Sequence, residues 1–146
     1  MKAIVYTNYG PPDVLHLQEV QKPVPKENEV LIKVITSSVN EWDNGLICGE
    51  GLLTRLLGGL FKPKNKILGA DVAGIIEAVG NNIKNFKPGD EVFGDIAGAG
   101  FGAFSEYVCA PEKMLAKKSP KMSFEQAASL PQAGLLAMQG LRYKKP

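Results

Sequence analysis

The sequence predicts a mainly β domain with a few short helices and a helical segment at its C-terminal end. Sixteen glycines and ten prolines among 146 residues divide the chain into short segments, which is typical of β domains with many turns. Several segments are rich in β-branched and apolar residues, and residues 29–36 are the clearest of them. Helical patterns are confined to residues 40–60 and to the end of the chain.

Length, composition and charge exclude several classes of protein. With 45% hydrophobic residues the chain is long enough to bury a core. Seventeen basic and fifteen acidic residues give a formal charge of +2, which is too balanced for a surface that binds nucleic acid or a membrane. The apolar run at residues 3–6 is too short for a signal peptide or a membrane span. Because Cys48 and Cys109 lie far apart, we expect reduced thiols and a cytoplasmic location, with a disulfide as the alternative.

The first part of the chain predicts three strands. Residues 1–6 form the first, and residues 14–20 alternate apolar and polar side chains, so the two are expected to pair as a hairpin. Pro23 and Pro25 end the second strand. The third, over residues 29–36, carries apolar side chains on both faces, which predicts burial on both sides.

The middle of the chain predicts two short helices and four more strands. Residues 40–47 fit one or two helical turns, and residues 52–60 place leucines at helical spacing. The leucine-rich stretch is expected to cover one end of the β domain, with a mobile lid or a partner surface as the alternative. The strands are predicted over residues 71–79, 91–93, 104–110 and 114–117.

Residues 94–102 form a glycine-rich segment between two of these strands. Its last three glycines, Gly98, Gly100 and Gly102, lead into another strand rather than into a helix. The segment therefore lacks the strand–G-x-G-x-x-G–helix pattern that binds a pyrophosphate. A surface loop that reaches across a cleft is predicted instead.

The end of the chain changes to helical patterns. Ser123, with Gln126 three residues later, predicts a capping box and a short helix. After Pro131, residues 132–143 predict a second helix with an apolar face. We therefore expect two parts, a β domain over residues 1–122 and a helical segment that follows it. The unpartnered apolar face indicates a chain cut from a longer protein.

Seven segments together carry a family resemblance. A glycine-rich pattern, GADVAGIIEAVG, occupies residues 69–80 and is followed by KPGDEVFG at residues 87–94. The others are MKAIVY at 1–6, EVLIKV at 29–34, SVNEWD at 38–43, GAFSEYV at 102–108 and AASLPQAGL at 127–135. In content, order and spacing they resemble the N-terminal half of the medium-chain dehydrogenases/reductases, in particular their zinc-free, quinone oxidoreductase-like branch.

This resemblance implies a fold and an activity. The fold is GroES-like, a partly open β-barrel, over residues 1–122, and residues 123–146 would lead into a Rossmann domain that is absent here. The implied activity is hydride transfer from NADPH or NADH to a quinone or an α,β-unsaturated carbonyl. The implied partners are a small-molecule substrate and, in the intact enzyme, a second copy of the chain. This chain alone is expected to be inactive, because the absent domain holds most of the cofactor.

The resemblance also bears on zinc. The zinc enzymes of the superfamily place their catalytic ligands where this chain has Asn40 and Ala70, and near Gln132. Neither an amide nor a methyl group is a good zinc ligand, and the chain lacks a lobe of four close cysteines. We therefore predict neither catalytic nor structural zinc. His16, the one histidine, is expected to be an ordinary surface residue.

The same resemblance nominates the site residues. Asn40 and Asp43 would be catalytic, and Asn40, Gln132 and Leu136 would contact the cofactor. Alternatively, Asn40 and Asp43 only cap the short helix that they begin. Trp42 is expected either to line the pocket entrance or to be ordinary packing.

Other positions bear on whether the site is intact. Asp71 and Glu77 are expected to serve backbone or ion-pair roles. Gly45 and Leu136 replace a tyrosine and a threonine that many family members carry. These two changes leave open an inactive relative of the reductases, and the shared barrel leaves open a non-catalytic GroES-like binding module.

Overall fold

The computed structural model describes residues 1–143, except for the side chains of Leu53 and Leu57. This part of the chain contains seven strands, four α-helices and three short 3-10 helices. In chain order the strands and α-helices are β1 (Lys2–Val5), β2 (His16–Glu19), β3 (Glu29–Thr36), α1 (Glu41–Cys48), α2 (Leu52–Gly58), β4 (Asp71–Val79), β5 (Glu91–Asp95), β6 (Tyr107–Pro111), β7 (Ala116–Lys117), α3 (Phe124–Ala128) and α4 (Pro131–Arg142). The predicted class, mainly strands with a few short helices, is confirmed.

The strands form two antiparallel sheets. Five of them pair in the order β6-β3-β4-β5-β7, and β1 and β2 form a separate hairpin. An isolated bridge between Ala3 and Ser105 connects the hairpin to the chain just before β6. Within residues 1–143, the edge strands β6 and β7 do not pair with each other, so the larger sheet is not closed. The expected partly open barrel therefore fits only loosely.

The main core lies on one face of the larger sheet. Alternate residues of the central strands point into it, since successive side chains of a strand face opposite sides. Its fully buried members are Val30, Ile32, Val72, Ile76, Val92, Ile96, Ala103, Val108 and Ala110. A second cluster joins α1 to the N-terminal strand through Tyr6, Leu46, Ile47 and Leu68. This second cluster packs α1 against the segment that precedes β4, and the Gly69 N–H, which donates to Asp43, joins the same segment to the start of the helix.

Burial on both faces of β3 is found only in its first half. Val30, Leu31 and Ile32 are buried, but Ile35 is 45% exposed. Lys33 and Ile35 follow Leu31 on the same face of the strand and are exposed, so the predicted burial of that face is wrong there.

Several predicted boundaries also shift. The strand expected from residue 104 begins at Tyr107, because residues 104–106 pair with β1 instead, through the bridge between Ala3 and Ser105. The capping box at Ser123 is present, and α4 begins at Pro131, one residue earlier than expected. The predicted division at residue 122 stays a prediction, and residues 144–146 of the helical segment lie outside the described part.

Two further features bear on the predictions. Cys48 and Cys109 are free thiols, so they do not form the alternative disulfide. None of the described helices is long and apolar enough to cross a membrane.

Candidate functional site

A cavity of about 610 Å³ lies between the start of α1 and the first turns of α4. Its walls combine amide, carboxylate and apolar side chains: Asn40, Glu41, Trp42, Asp95, Gln132, Ala133, Leu135, Leu136 and Gln139. Three of the four predicted site residues, Asn40, Gln132 and Leu136, thus line one space. They come from segments about 90 residues apart, and the fold brings them together.

Other depressions in the described surface have comparable volumes, of about 410, 440, 520 and 660 Å³. The one of about 660 Å³ lies over β1 and β3. None of these four is lined by any of the predicted site residues. The cavity between α1 and α4 is therefore the candidate site, because chemistry rather than volume distinguishes it.

Asn40 caps the N-terminus of α1. Its Oδ1 accepts hydrogen bonds from the backbone N–H groups of Trp42, at 3.1 Å, and of Asp43, at 3.4 Å. Asp43 completes the capping box, since its Oδ2 accepts from the Asn40 N–H at 3.2 Å. The capping role that the sequence left as an alternative is present, and it holds the Asn40 side chain at the cavity wall.

The other end of the Asn40 amide is unsatisfied. Its Nδ2 is buried and has no hydrogen-bond partner among the described residues. Burial raises the pKa of the nearby Asp71 carboxyl, and the Asn40 side chain is among the groups that oppose this shift, but the two side chains do not have hydrogen-bond geometry. A buried donor without a partner loses free energy, so a ligand that accepts this hydrogen bond would be favoured.

Asp43 lies behind the cavity wall rather than in it. Its side chain is fully buried, and its Oδ1 accepts from the backbone N–H of Gly69 at 3.1 Å. Burial raises the pKa of the Asp43 carboxyl, the backbone donors oppose this shift, and repulsion from Asp71 adds to it. Among the described residues none of the ion pairs includes Asp43. The contacts of Asp43 are thus with backbone N–H groups, and they hold the start of α1 against the segment before β4.

Asp71 connects both walls of the cavity. It is the first residue of β4, and its side chain is 2% exposed. Its Oδ2 accepts from Ser38 Oγ at 2.7 Å, and its Oδ1 accepts from the Gln132 backbone N–H at 2.9 Å. Burial raises the pKa of the Asp71 carboxyl, and the two donated hydrogen bonds oppose that shift. The expected backbone role of Asp71 is present, whereas Glu77 forms an ion pair with Lys22.

The positions of the zinc ligands carry unsuitable side chains. Asn40 and Gln132 offer amides. The side chain of Ala70 is a methyl group and is fully buried. Within residues 1–143, no group of three or more His, Cys, Asp or Glu side chains is placed so that it could hold a metal. The donor set does not fit a zinc ion.

Five wall residues were not predicted from the sequence: Glu41, Asp95, Ala133, Leu135 and Gln139. Gln139 had a detectable signal, because it lies seven residues after Gln132 and hence on the same face of α4. Asp95 had none, since only the pairing of β5 with β4 places it opposite Asp71. Trp42 is part of the wall, as one of its two expected roles required.

Comparison with known proteins gives the family. Residues 26–120 match the family described as the alcohol dehydrogenase GroES-like domain. The chain is 39% identical over 148 residues to 2-methylene-furan-3-one reductase of Solanum lycopersicum, a match that covers 97% of this chain and 37% of that protein. It is 38% identical to the chloroplastic NADPH-dependent alkenal/one oxidoreductase of Arabidopsis thaliana, with the same coverage.

A solved structure agrees with these matches. The quinone oxidoreductase from Coxiella burnetii superposes with a TM-score of 0.86 at 38% identity, over 97% of this chain and 44% of that one. The chain thus carries an alcohol dehydrogenase GroES-like domain. It belongs to the medium-chain dehydrogenase/reductase superfamily, in the quinone oxidoreductase-like branch, which confirms the resemblance found in the sequence. It spans less than half the length of these relatives.

Proposed function

We propose that this chain is the N-terminal domain of an NAD(P)H-dependent oxidoreductase that transfers a hydride, without zinc, to a quinone or an α,β-unsaturated carbonyl. One observation carries the proposal: Asn40, Gln132 and Leu136 line a single cavity between α1 and α4. Two of the similar proteins support it, since one is named an NADPH-dependent alkenal/one oxidoreductase and the other a quinone oxidoreductase.

The cavity suits a nicotinamide ring, which has an apolar face and a polar carboxamide. Leu135, Leu136 and Trp42 provide apolar surface, while Asn40 and Gln132 provide amides. The unpartnered Asn40 Nδ2 is the specific sign of fit, because a ligand acceptor would satisfy it. When bound, the nicotinamide of NADPH or NADH supplies the hydride. In this proposal Asn40 and Gln132 hold it, and Leu136 packs against it.

The residues of this chain contribute orientation and hydrogen bonding. Reduction of a quinone or an enone builds negative charge on an oxygen, and a preorganised donor stabilises that charge. Asn40 Nδ2 is such a donor, because its Oδ1 is already fixed by α1. Asp43 keeps α1 in place through Gly69. These acceptors delocalise the charge, so they need less help from a Lewis acid than a simple ketone does.

The role of a chaperonin-like binding module is less well supported. Such a module needs an extended mobile loop, and the leucine-rich stretch forms the helix α2 instead.

We also propose a cytoplasmic location and a homodimeric enzyme. Cell fractionation tests the location, which is open because the Arabidopsis relative is named chloroplastic. Sedimentation of the full-length protein tests the dimer.

The activity is tested on the full-length product of the gene. Oxidation of NADPH and of NADH is followed with a quinone and with an α,β-unsaturated ketone, before and after treatment with a chelator. We expect turnover that survives chelation and falls in Asn40→Ala. Loss of turnover on chelation would contradict the zinc-free mechanism. A folded protein that binds nucleotide but reduces neither acceptor would be an inactive relative.

A further inference from the structure

The start of α4 is held by a residue distant in sequence. Leu130 precedes the helix and has no polar side chain with which to cap it, and Pro131 at the first helical position has no N–H. The first backbone N–H that needs an acceptor is therefore that of Gln132. Asp71 accepts it at 2.9 Å, from 61 positions earlier in the chain. A carboxylate is well suited to this end of a helix, where the backbone dipole is positive.

The same carboxylate holds the opposite wall of the cavity. Its second oxygen accepts from Ser38 Oγ at 2.7 Å, and the Ser37 hydroxyl donates to the backbone carbonyl of Asp71 at 2.6 Å. Ser37 and Ser38 lie in the short segment that leads to Asn40 and α1. One buried side chain thus connects the strand β4 to both elements that line the cavity.

We propose that Asp71 is a positioning residue for the hydride-transfer site. It holds the first turn of α4, and with it Gln132 and Leu136, at a fixed distance from Asn40. This inference rests on the proposed function. Asp71 is not among the residues that line the cavity, so it acts through the elements that it joins and not by contact with a ligand.

The substitution Asp71→Asn tests this role at nearly constant volume. Asparagine has one acceptor oxygen where aspartate has two. If that oxygen accepts from the Gln132 N–H, the amide nitrogen faces Ser38 Oγ, which must then accept instead of donate, and both contacts lose the strength that a charged partner gives them. The two walls are then held less firmly. A displacement of about 1 Å in a reaction site lowers a rate by about 10²-fold, so we expect kcat to fall by about that factor. The KM for NADPH should change little, since most of the nucleotide is expected to bind outside this chain.

Asp90→Asn is the matched control. Like Asp71, the Asp90 carboxylate accepts from a backbone N–H, that of Lys87 at 3.1 Å. Its second partner is the Lys117 ammonium, with which it forms an ion pair. It lies in the turn before β5, away from the cavity. The same chemical change there should leave kcat and KM as in the wild type.

Two measurements on the full-length protein test the positioning role of Asp71. The first is steady-state kcat and KM, and the second is hydrogen exchange of the peptide that contains residues 131–136, without nucleotide. Asp71→Asn should accelerate exchange at the start of α4 and lower kcat, and Asp90→Asn should do neither. A folded Asp71→Asn protein with wild-type kcat would overturn the inference. So would unchanged exchange at α4 together with lost activity, because Asp71 would then act in another way.

A variant that does not fold still leaves a test. If Asp71→Asn fails to fold, Ser38→Ala removes only the bond on the α1 side, and it should lower kcat less while it accelerates exchange of the peptide that contains residues 38–44. Wild-type values of both for Ser38→Ala would then overturn the inference. A wild-type protein that neither oxidises nor binds NADPH would show that the proposed function has failed, and the inference falls with it. An active wild type whose Asp71→Asn variant behaves like Asp90→Asn would show that only the inference has failed.

Discussion

Asn40 performs two tasks with opposite ends of one amide. The oxygen caps α1, and the nitrogen is buried without a partner in the described structure. Capping is common at helix starts and by itself implies nothing about function. The unsatisfied nitrogen is the part of the residue that capping does not explain, so the two tasks should be separable by substitution.

Replacement of Asn40 by serine should separate them. Serine caps about as well as asparagine, whereas alanine at such a position costs about 1 kcal/mol of stability. Neither residue has an amide donor. We therefore expect Asn40→Ser to unfold in urea like the wild type and Asn40→Ala to be less stable, while both lose turnover with a quinone acceptor. Full turnover in Asn40→Ser would show that the donor is unnecessary.

Tyr6 predicts a weakness of the fold at alkaline pH. It is buried in the cluster beside α1, and burial, with repulsion from Tyr9 and Asp43, raises its pKa from 10.0 to about 12. A folded pKa above the unfolded value means that the unfolded state releases its proton first. The stabilising contribution of Tyr6 is therefore complete below pH 10 and is lost as the pH rises towards 12, by about 2 kcal/mol.

The substitution Tyr6→Phe measures this effect. It keeps the ring and removes the titrating hydroxyl, so its free energy of unfolding should fall less between pH 9 and pH 11.5 than that of the wild type. Tyr143→Phe, at a position that is 85% exposed after α4, controls for the loss of a hydroxyl. Parallel profiles for Tyr6→Phe and the wild type would contradict the prediction.

Two glycines in different elements should respond in opposite ways to the same substitution. Gly45 lies inside α1, where a Cβ would have no neighbour within 4 Å, so alanine should stabilise the protein by about 0.5–1 kcal/mol. Gly74 lies in β4, where a Cβ would be 2.2 Å from the Lys33 carbonyl oxygen of β3. Alanine there must push the two central strands apart and should cost about 2 kcal/mol or more. Urea unfolding of both variants tests this pair, and equal signs would contradict it.

Local patterns predicted most of the elements, because their signals lie within each segment. The capping box at Ser123 and the apolar run of β3 are examples, and both occur where the sequence places them. The predictions were wrong where the structure depends on a neighbouring segment that is distant in sequence. Ile35 is exposed because no element of the described structure covers that end of β3, and β6 begins only at Tyr107 because residues 104–106 pair with β1.

The candidate site divides in the same way. Family resemblance nominated Asn40, Gln132 and Leu136, and the fold brings all three to one cavity. The connection from Asp71 to Gln132 could not be predicted, since no local pattern relates residues 61 positions apart. One clue was present in the sequence: a helix that begins with Leu130 and Pro131 has no cap of its own, so an acceptor from elsewhere in the fold was needed.

At the scale of the whole molecule, α4 contacts the domain through its first turn, and its residues from Leu135 to Arg142 are exposed in the described structure. Its exposed apolar side chains are Leu135, Leu136, Met138 and Leu141. The relatives that this chain matches are more than twice as long. We expect the remainder of the full-length protein to cover these side chains, and the 146-residue chain produced alone to self-associate through them.

The self-association has a specific test. Leu141 is 86% exposed on α4, and Leu17 is 64% exposed on β2, so glutamate at either position adds the same charge to apolar surface. A charge inside an associating surface must lose its hydration without a partner, which opposes contact. In sedimentation of the 146-residue chain at increasing concentration, Leu141→Glu should therefore stay monomeric, while Leu17→Glu should associate like the wild type. The reverse result would place the associating surface on the β1–β2 hairpin, over the 660 Å³ depression that Leu17 lines, and α4 would then be stable in water without a covering domain.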